Sequence, residues 1–179
     1  MEDYAYVLDV LPEGRPDSKR RFRREPIIYG LGIEEFKIFD MQPIPDAVIN
    51  IGDRCYIGKE TEERTQIDHV RARVNFVELT HTAQSELGFV LGDIVKESEE
   101  KFIQFFNHAG PISRRYHSLE LIPGLGKKTM NLIVANRPYS TFKEMEEKIP
   151  NFRSPEKYIS QRIENEIKES DQKYRLFVR

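Results

Sequence analysis

The chain of 179 residues has one cysteine, no tryptophan and no apolar run of membrane-spanning length. A lone Cys55 excludes an internal disulfide and a cysteine-built metal cage, so stability must come from packing. A bilayer span needs roughly 20 consecutive apolar residues, and none occurs. Basic charge is missing from the amino terminus as well. Met1-Glu-Asp-Tyr4 opens with acid where a secretory leader has a basic start and an apolar middle, which points to a cytoplasmic location. Catalytic patterns are equally scarce. His69, His81, His108 and His117 have no ligand partner three or four residues away, and neither Cys55 nor any serine sits in a nucleophile-base motif. The paired carboxylates Glu62-Glu63 and Glu99-Glu100 are adjacent, and adjacent residues point in different directions. No catalytic residue, metal site or cofactor is assigned, and the chain reads as non-enzymatic.

What is present supports a packed protein. Hydrophobic residues make up 39% of the chain, enough for one or two domains with a real core. The net charge of −2 conceals a segregation. Residues 111–179 hold 14 of the 28 Lys and Arg but only 9 of the 30 Asp and Glu, which leaves +5 there and −7 before it.

The most informative stretch is Leu119-Glu-Leu-Ile-Pro-Gly-Leu-Gly-Lys-Lys-Thr129. Pro123 stops one helix, Gly124 and Gly126 permit positive φ and close backbone approach, and Lys127 and Lys128 fall in the first turn of the next helix. Free N–H groups at a helix start carry partial positive charge, and two lysines add full charge at the same place, which suits a phosphate. Rival phosphate motifs fail on spacing. A P-loop needs glycine where Leu121 stands, and the dinucleotide fingerprint needs one at Thr129. The bland alternative is an ordinary helix turn with a solvated lysine pair. Ile122-Pro-Gly-Leu-Gly-Lys-Lys-Thr129 resembles the hairpin of the helix-hairpin-helix family, whose amides hold phosphates of DNA or, less often, RNA. The resemblance implies such a role for Gly124, Leu125, Gly126, Lys127 and Lys128, with Arg114, Arg115 and Arg137 as basic neighbours.

Before this stretch the pattern is one of short strands. Tyr4–Leu11, Ile27–Tyr29, Glu35–Met41, Asp53–Gly58 and Val70–Val77 are rich in β-branched and aromatic residues and are bounded by turn formers. In the last, Val70, Ala72, Val74 and Phe76 alternate with Arg71, Arg73 and Asn75. Five strands without an intervening helix fit a small barrel, an oligonucleotide-binding (OB-like) barrel first and an SH3-like one second. Between the first two strands, residues 15–24 carry six basic residues and one acid around Phe22. Arg15, Lys19, Arg20, Arg21, Arg23 and Arg24 would serve phosphates there, and Phe22 a base. Arg71 and Arg73 offer a further basic face. A solvated loop paired with its own acidic domain is the alternative.

A helix is expected after Thr80-His-Thr82, with Leu87, Val90, Leu91, Ile94 and Val95 on one face, a break near Lys96–Lys101 with Ser98 as a cap, and a resumption through Phe102, Ile103, Phe105 and Phe106. The phenylalanines are spaced as core rather than as a stacking platform. Further on, Ile122-Pro-Gly-Leu-Gly-Lys127 is echoed 27 residues later by Ile149-Pro-Asn-Phe-Arg-Ser154, again between helical stretches. Two such copies resemble a tandem helix-hairpin-helix domain. Asn151 and Arg153 replace the glycines of the second copy, so the first is expected to bind and the second chiefly to scaffold, with Arg153 still able to reach a phosphate.

The expected fold is α+β: an OB-like β-barrel over 1–80, a linking helical segment over 81–110, an all-α tandem helix-hairpin-helix domain over 111–173, and a tail over 174–179 that adds a strand or docks on the barrel. This order resembles a family of archaeal proteins thought to bind nucleic acid. The resemblance implies a non-enzymatic binder of the phosphate backbone of DNA or structured RNA, with nucleic acid as partner and no membrane. The alternative is a protein-protein interaction module in a DNA-repair or ribosome-associated assembly.

Overall fold

The protein is described by a computed structural model that covers residues 1–15 and 24–179. The contacts expected of Lys19, Arg20, Arg21, Phe22 and Arg23 lie outside the described residues. The chain is α+β and divides into two compact units, Met1–Val90 with Ile167–Arg179, and Leu91–Glu166.

The first unit is built on a curled five-stranded antiparallel sheet, a half-barrel. Its strands are β1 (Tyr4–Leu11), β2 (Ile27–Gly32), β3 (Ile38–Pro43), β4 (Arg54–Tyr56) and β5 (Ile67–Val74), in the order β4-β1-β2-β3-β5. Among the described residues β4 and β5 do not pair, so the sheet stays open where a closed barrel would seal; β4, only three residues long, has little ladder to offer. Ala5, Val7, Ile28, Met41, Cys55, Ile57 and Ile67 form one buried cluster, with Val10, Phe39, Ile49 and Val70 packed against it. Gly30 lies beneath Met41, whose methyl occupies the space a Cβ would need. Leu8, Tyr29, Leu31 and Ile38 are buried too, although they do not belong to that cluster.

β2 runs on to Gly32 and β4 is shorter than the sequence suggests, and two further strand boundaries, of β3 and β5, are moved by polar groups. β3 starts at Ile38 because the buried Glu2 carboxylate accepts hydrogen bonds from the Glu34 and Glu35 amides at 2.7 and 2.8 Å, and Phe36 takes a left-handed φ of 58°. Those residues form a turn that no strand can run through. β5 is shifted towards the amino terminus and stops at Val74, since Asn75 caps a one-turn 3₁₀ helix, Phe76–Glu78. Register irregularities opposite Asp40/Met41 and Gln42/Pro43 disturb the clean alternation expected of β5, and Ala72 is exposed. At the end of the chain, Val178 is buried and the Arg179 amide donates to the Glu35 carbonyl at 3.1 Å, so the tail docks on this unit without adding a strand.

Five α-helices complete the described chain: α1 (His81–Glu97), α2 (Glu99–His108), α3 (Lys127–Ala135), α4 (Phe142–Lys148) and α5 (Pro155–Lys168). The division into units falls inside α1 and near the end of α5. Thr80 caps α1, its hydroxyl accepting from the Ala83 amide at 3.1 Å, and the anticipated break falls at Ser98. In the second unit Phe102, Ile103 and Phe106 are buried, the last edge-on to Phe152 with centroids 6.3 Å apart, so the phenylalanine stripe is core. Among the described residues no helix is long and apolar enough to cross a membrane.

Thr80 also ties the start of α1 to the sheet. Its hydroxyl donates to the Asp9 carboxylate at 2.5 Å, and Asp9, buried beside a bulge in β1, accepts from the Val10 amide as well. Thr80→Val keeps the shape but removes the helix cap and one bond to a buried carboxylate. It should lower the unfolding free energy by about 2 kcal/mol, read from urea denaturation at neutral pH.

Candidate functional site

The Ile122–Gly126 hairpin is shaped by one left-handed residue. Gly124 has φ 78°, and a Cβ there would meet Tyr158 at an ordinary 3.5 Å, so glycine is required by conformation rather than by space. The Leu125 amide closes the turn on the Ile122 carbonyl at 3.3 Å, and Gly126 then opens α3 as an N-cap that contributes no side chain. The first N–H groups of α3, on Lys127, Lys128 and Thr129, accordingly have no intrahelical acceptor. Gly124, Gly126, Lys127 and Lys128 are exposed, Leu125 is half-buried, and neither lysine side chain has a partner among the described residues. On its upstream side the hairpin follows a single 3₁₀ turn, Ser118–Leu121, instead of the full helix the sequence suggests.

Helix α5 supports the hairpin. Arg162 Nη1 donates to the Leu121 carbonyl at 3.2 Å while its Nε pairs with Glu166 at 2.8 Å, and both side chains are almost wholly buried. One helical turn earlier, Tyr158 lies under Gly124 with its ring 4.9 Å from that of Phe152. None of this is marked in the sequence beyond the (i, i+4) spacing of Arg162 and Glu166 and the place of Tyr158 in an apolar stripe.

The two copies of the repeat share a left-handed turn position but not the helix start that follows it. Asn151, 27 residues after Gly124, is left-handed as well, with φ 59°, and Ile122 and Ile149 are equally buried. The difference lies at the following helix start. Ser154, which the 27-residue offset aligns with Lys127, is left-handed with φ 52° and precedes α5, and its amide donates to the Glu146 carboxylate at 2.7 Å. A carboxylate of the chain itself thus fills this place in the second copy, whereas none among the described residues does so in the first. Arg153 is exposed and its side chain has no partner among the described residues.

The remaining candidate residues fall into two groups. Arg114 and Arg115 are exposed, with side chains unpartnered among the described residues, in a loop leading to the 3₁₀ turn. Arg137 is instead part of the scaffold: its Nη2 donates to the Ala109 carbonyl at 2.6 Å, and burial lowers its pKa. In the first unit Arg15 donates to the Tyr29 hydroxyl at 3.2 Å and to the Glu78 carbonyl, and Arg24 pairs loosely with Glu13 at 3.4 Å. Arg71 is mostly enclosed, bonded to Asp40 at 2.8 Å, to the Pro26 carbonyl at 2.7 Å and to Gln42. Arg73 is exposed and donates to the Arg179 carbonyl at 3.0 Å. Cys55 is buried, and burial first, then the Asp53 charge, pushes its thiol up to about 11, which leaves it a core hydrophobe.

His117 sits at the entrance to the hairpin, and its proton is coupled to the fold. Its Nδ1 accepts from the Leu119 amide at 3.1 Å, which requires the unprotonated nitrogen. Burial, and secondarily the charge of Arg137, hold its pKa below the ordinary 6.5 against the opposing pull of Glu120. The folded chain therefore binds this proton more weakly than the unfolded chain. The stabilisation is complete above the unfolded value and is lost as pH falls through the lower folded one. His117→Asn, which still caps but does not titrate, should lose less stability than the wild type between about pH 7 and pH 5.5, measured by denaturant midpoint. Arg162→Met should cost about 3 kcal/mol by removing the guanidinium that pairs with the buried Glu166 carboxylate, and Arg162→Met/Glu166→Met should recover most of it. Faster hydrogen exchange at residues 124–128 in the single variant would show that the pair holds the hairpin.

Comparison with other proteins places the chain. The family described as "Protein of unknown function (DUF655)" matches residues 1–179. A Methanocaldococcus jannaschii protein described as "Uncharacterized protein MJ0038" is 43% identical over 182 residues, covering 99% of this chain and 80% of that protein. The crystal structure of Af1531 from Archaeoglobus fulgidus superposes with a TM-score of 0.90 at 39% identity, over 99% of this chain and all of that one. A match over its whole length, with archaeal relatives in both sequence and structure, shows that this chain belongs to the DUF655 family.

Proposed function

We propose that the protein is a non-enzymatic binder of nucleic-acid backbone, DNA or structured RNA, with its primary phosphate site at Gly124–Lys128. The observation that supports this reading is the convergence at one turn of a left-handed glycine, three helix-start amides without intrahelical acceptors, and two exposed lysines unpartnered among the described residues. Such amides favour an anion, and the lysines add charge where it is needed. On this reading residues 118–135 act as a helix-hairpin-helix motif whose first helix has shrunk to a 3₁₀ turn. Residues 142–168 are then a second copy whose anion site is filled by Glu146. The half-barrel takes the part of an OB-like domain, and the basic stretch of sequence over 15–24 is a second point of attachment.

Phosphate contacts dominate affinity and carry little sequence information, so the reading implies strong salt dependence and weak sequence preference. Lys127→Glu/Lys128→Glu should weaken binding to both duplex DNA and structured RNA by roughly tenfold or more at low salt, measured by fluorescence anisotropy, since a charge-assisted hydrogen bond to phosphate is removed and a repulsive charge takes its place. If Arg114, Arg115, Lys127 and Lys128 each neutralise one phosphate of duplex DNA, the slope of log affinity against log salt should be about −3.6, and the double variant should flatten it by about 2. Undiminished affinity in the variant would remove the hairpin from the binding site. Binding to a cellular partner that ignores salt and survives nuclease treatment would favour a protein-docking module instead.

A further inference from the structure

We propose that Tyr116 is a base-stacking residue, which makes the preferred ligand a nucleic acid with unpaired bases next to the backbone segment held at the hairpin. The inference rests on the reading of the hairpin as a phosphate site and deepens it from backbone attraction to a class of ligand. It starts from the loop between α2 and the 3₁₀ turn. Pro111 and His117 form an antiparallel bridge, the Ile112 and Ser113 amides both donate to the Tyr116 carbonyl at 2.8 and 3.2 Å, and the Ser113 hydroxyl accepts from the Arg115 and Tyr116 amides at 3.2 Å each. Five residues are thereby tied into a small, internally bonded tip.

What this tip presents is unusual for a solvated loop. Arg114, Arg115 and Tyr116 are consecutive and exposed, and Tyr116 is 51% accessible although it is a large aromatic. Among the described residues none of the three side chains has a hydrogen bond, ion pair or ring contact, whereas Tyr4, Tyr56, Tyr139 and Tyr158 all have one. Structural need does not account for the ring: it fills no core and satisfies no neighbour. An exposed aromatic next to two cations on a pre-ordered turn is the combination by which sequence-tolerant proteins hold single strands, the ring stacking on a base and the cations taking the adjoining phosphates. Little conformational entropy is lost on binding, because the backbone of the tip is already fixed.

The tip is also placed to work with the hairpin. His117 and Ile122 flank the single 3₁₀ turn, five residue steps at about 2 Å each or roughly 10 Å, comparable to about three stacked nucleotides of one strand at about 3.4 Å. In this proposal a strand whose backbone is held at Lys127 and Lys128 continues past the 3₁₀ turn and offers a neighbouring base to Tyr116. A continuous duplex offers no free face to stack on. An overhang, a bulge or a looped RNA does.

The test compares wild type, Tyr116→Ala, Tyr116→Phe and Lys127→Glu/Lys128→Glu on four labelled ligands: a blunt DNA duplex, the same duplex with a single-stranded overhang, a blunt RNA duplex, and an RNA hairpin with an unpaired loop. Anisotropy gives affinity, and 2-aminopurine in the unpaired segment reports stacking by loss of emission. The expected result is that Tyr116→Ala weakens binding to the two ligands with unpaired bases by roughly five- to a hundredfold and abolishes the 2-aminopurine quenching, while blunt-duplex affinity is unchanged and Tyr116→Phe behaves as wild type. The lysine variant should weaken all ligands alike. The DNA and RNA arms identify the source of the strand. Wild-type protein that binds none of the four ligands overturns both the phosphate reading and this one. Wild-type binding that is lost with the lysine variant but is indifferent to Tyr116→Ala, or is weakened equally on blunt and unpaired ligands, overturns the stacking role and leaves the hairpin reading intact.

Discussion

Arg162 connects the two halves of the repeat through a single carbonyl. The oxygen of Leu121 comes at the end of a 3₁₀ turn, where backbone acceptors are left without partners, and the buried guanidinium of Arg162 supplies one while Glu166 neutralises its charge. The consequence is mechanical. A glycine-bearing turn is intrinsically floppy, and here its base is anchored by a hydrogen bond and its left-handed residue lies over the Tyr158 ring. An anion site made of backbone amides works only if the amides are already aimed, so the quality of the hairpin depends on a helix that begins 31 residues after it and belongs to the other copy.

The same comparison explains how a duplicated element comes to serve two ends. Both copies keep the left-handed position and the buried isoleucine, because those set the backbone path. They diverge in the backbone and the amides that lead into the next helix. In the second copy Glu146 satisfies the Ser154 amide from within, and in the first the equivalent place is left to whatever the protein meets. Burial and hydrogen bonding preserve the scaffold role, while a helix start with no side-chain cap and two adjacent lysines is what supports the proposed phosphate role. Positive charge alone does not distinguish the two. Arg71 and Arg15 are as basic as Lys127, yet in the structure they are tied to carboxylate, carbonyl and hydroxyl groups of their own unit, Arg71 bonding to Asp40 and Arg15 to Tyr29.

Where the sequence was legible, the reason was periodicity or special backbone chemistry. β1, the break at Ser98, the buried phenylalanines and the left-handed turn at Gly124 all follow from signals that occupy a few adjacent residues. Misplaced boundaries arose where distant groups intervene. Glu2, 33 residues away, captures the amide of Glu35 and turns what reads as strand into a loop, and the capping of the 3₁₀ helix at Asn75 cuts β5 short. The helix expected before the hairpin is a single turn because the Pro111–His117 bridge uses the residues that would have formed its start. Basic residues were the least legible group: a sequence displays their charge but not their partners, so Arg137 and Arg71 looked no different from Arg114 and Arg115.

The sequence by itself determined the α+β order, the presence of five strands before the helices, the 27-residue repeat and the conformational demand at Gly124, since each depends on local propensity or on a residue type that only one backbone region suits. Tertiary structure alone decided which arginines are enclosed, which copy of the turn is filled by its own carboxylate, and that the Tyr116 side chain is left exposed without a hydrogen-bond or ring partner among the described residues. Those outcomes depend on side chains that are far apart in the chain meeting in space, and no pattern of spacing encodes where a long side chain will find its acceptor.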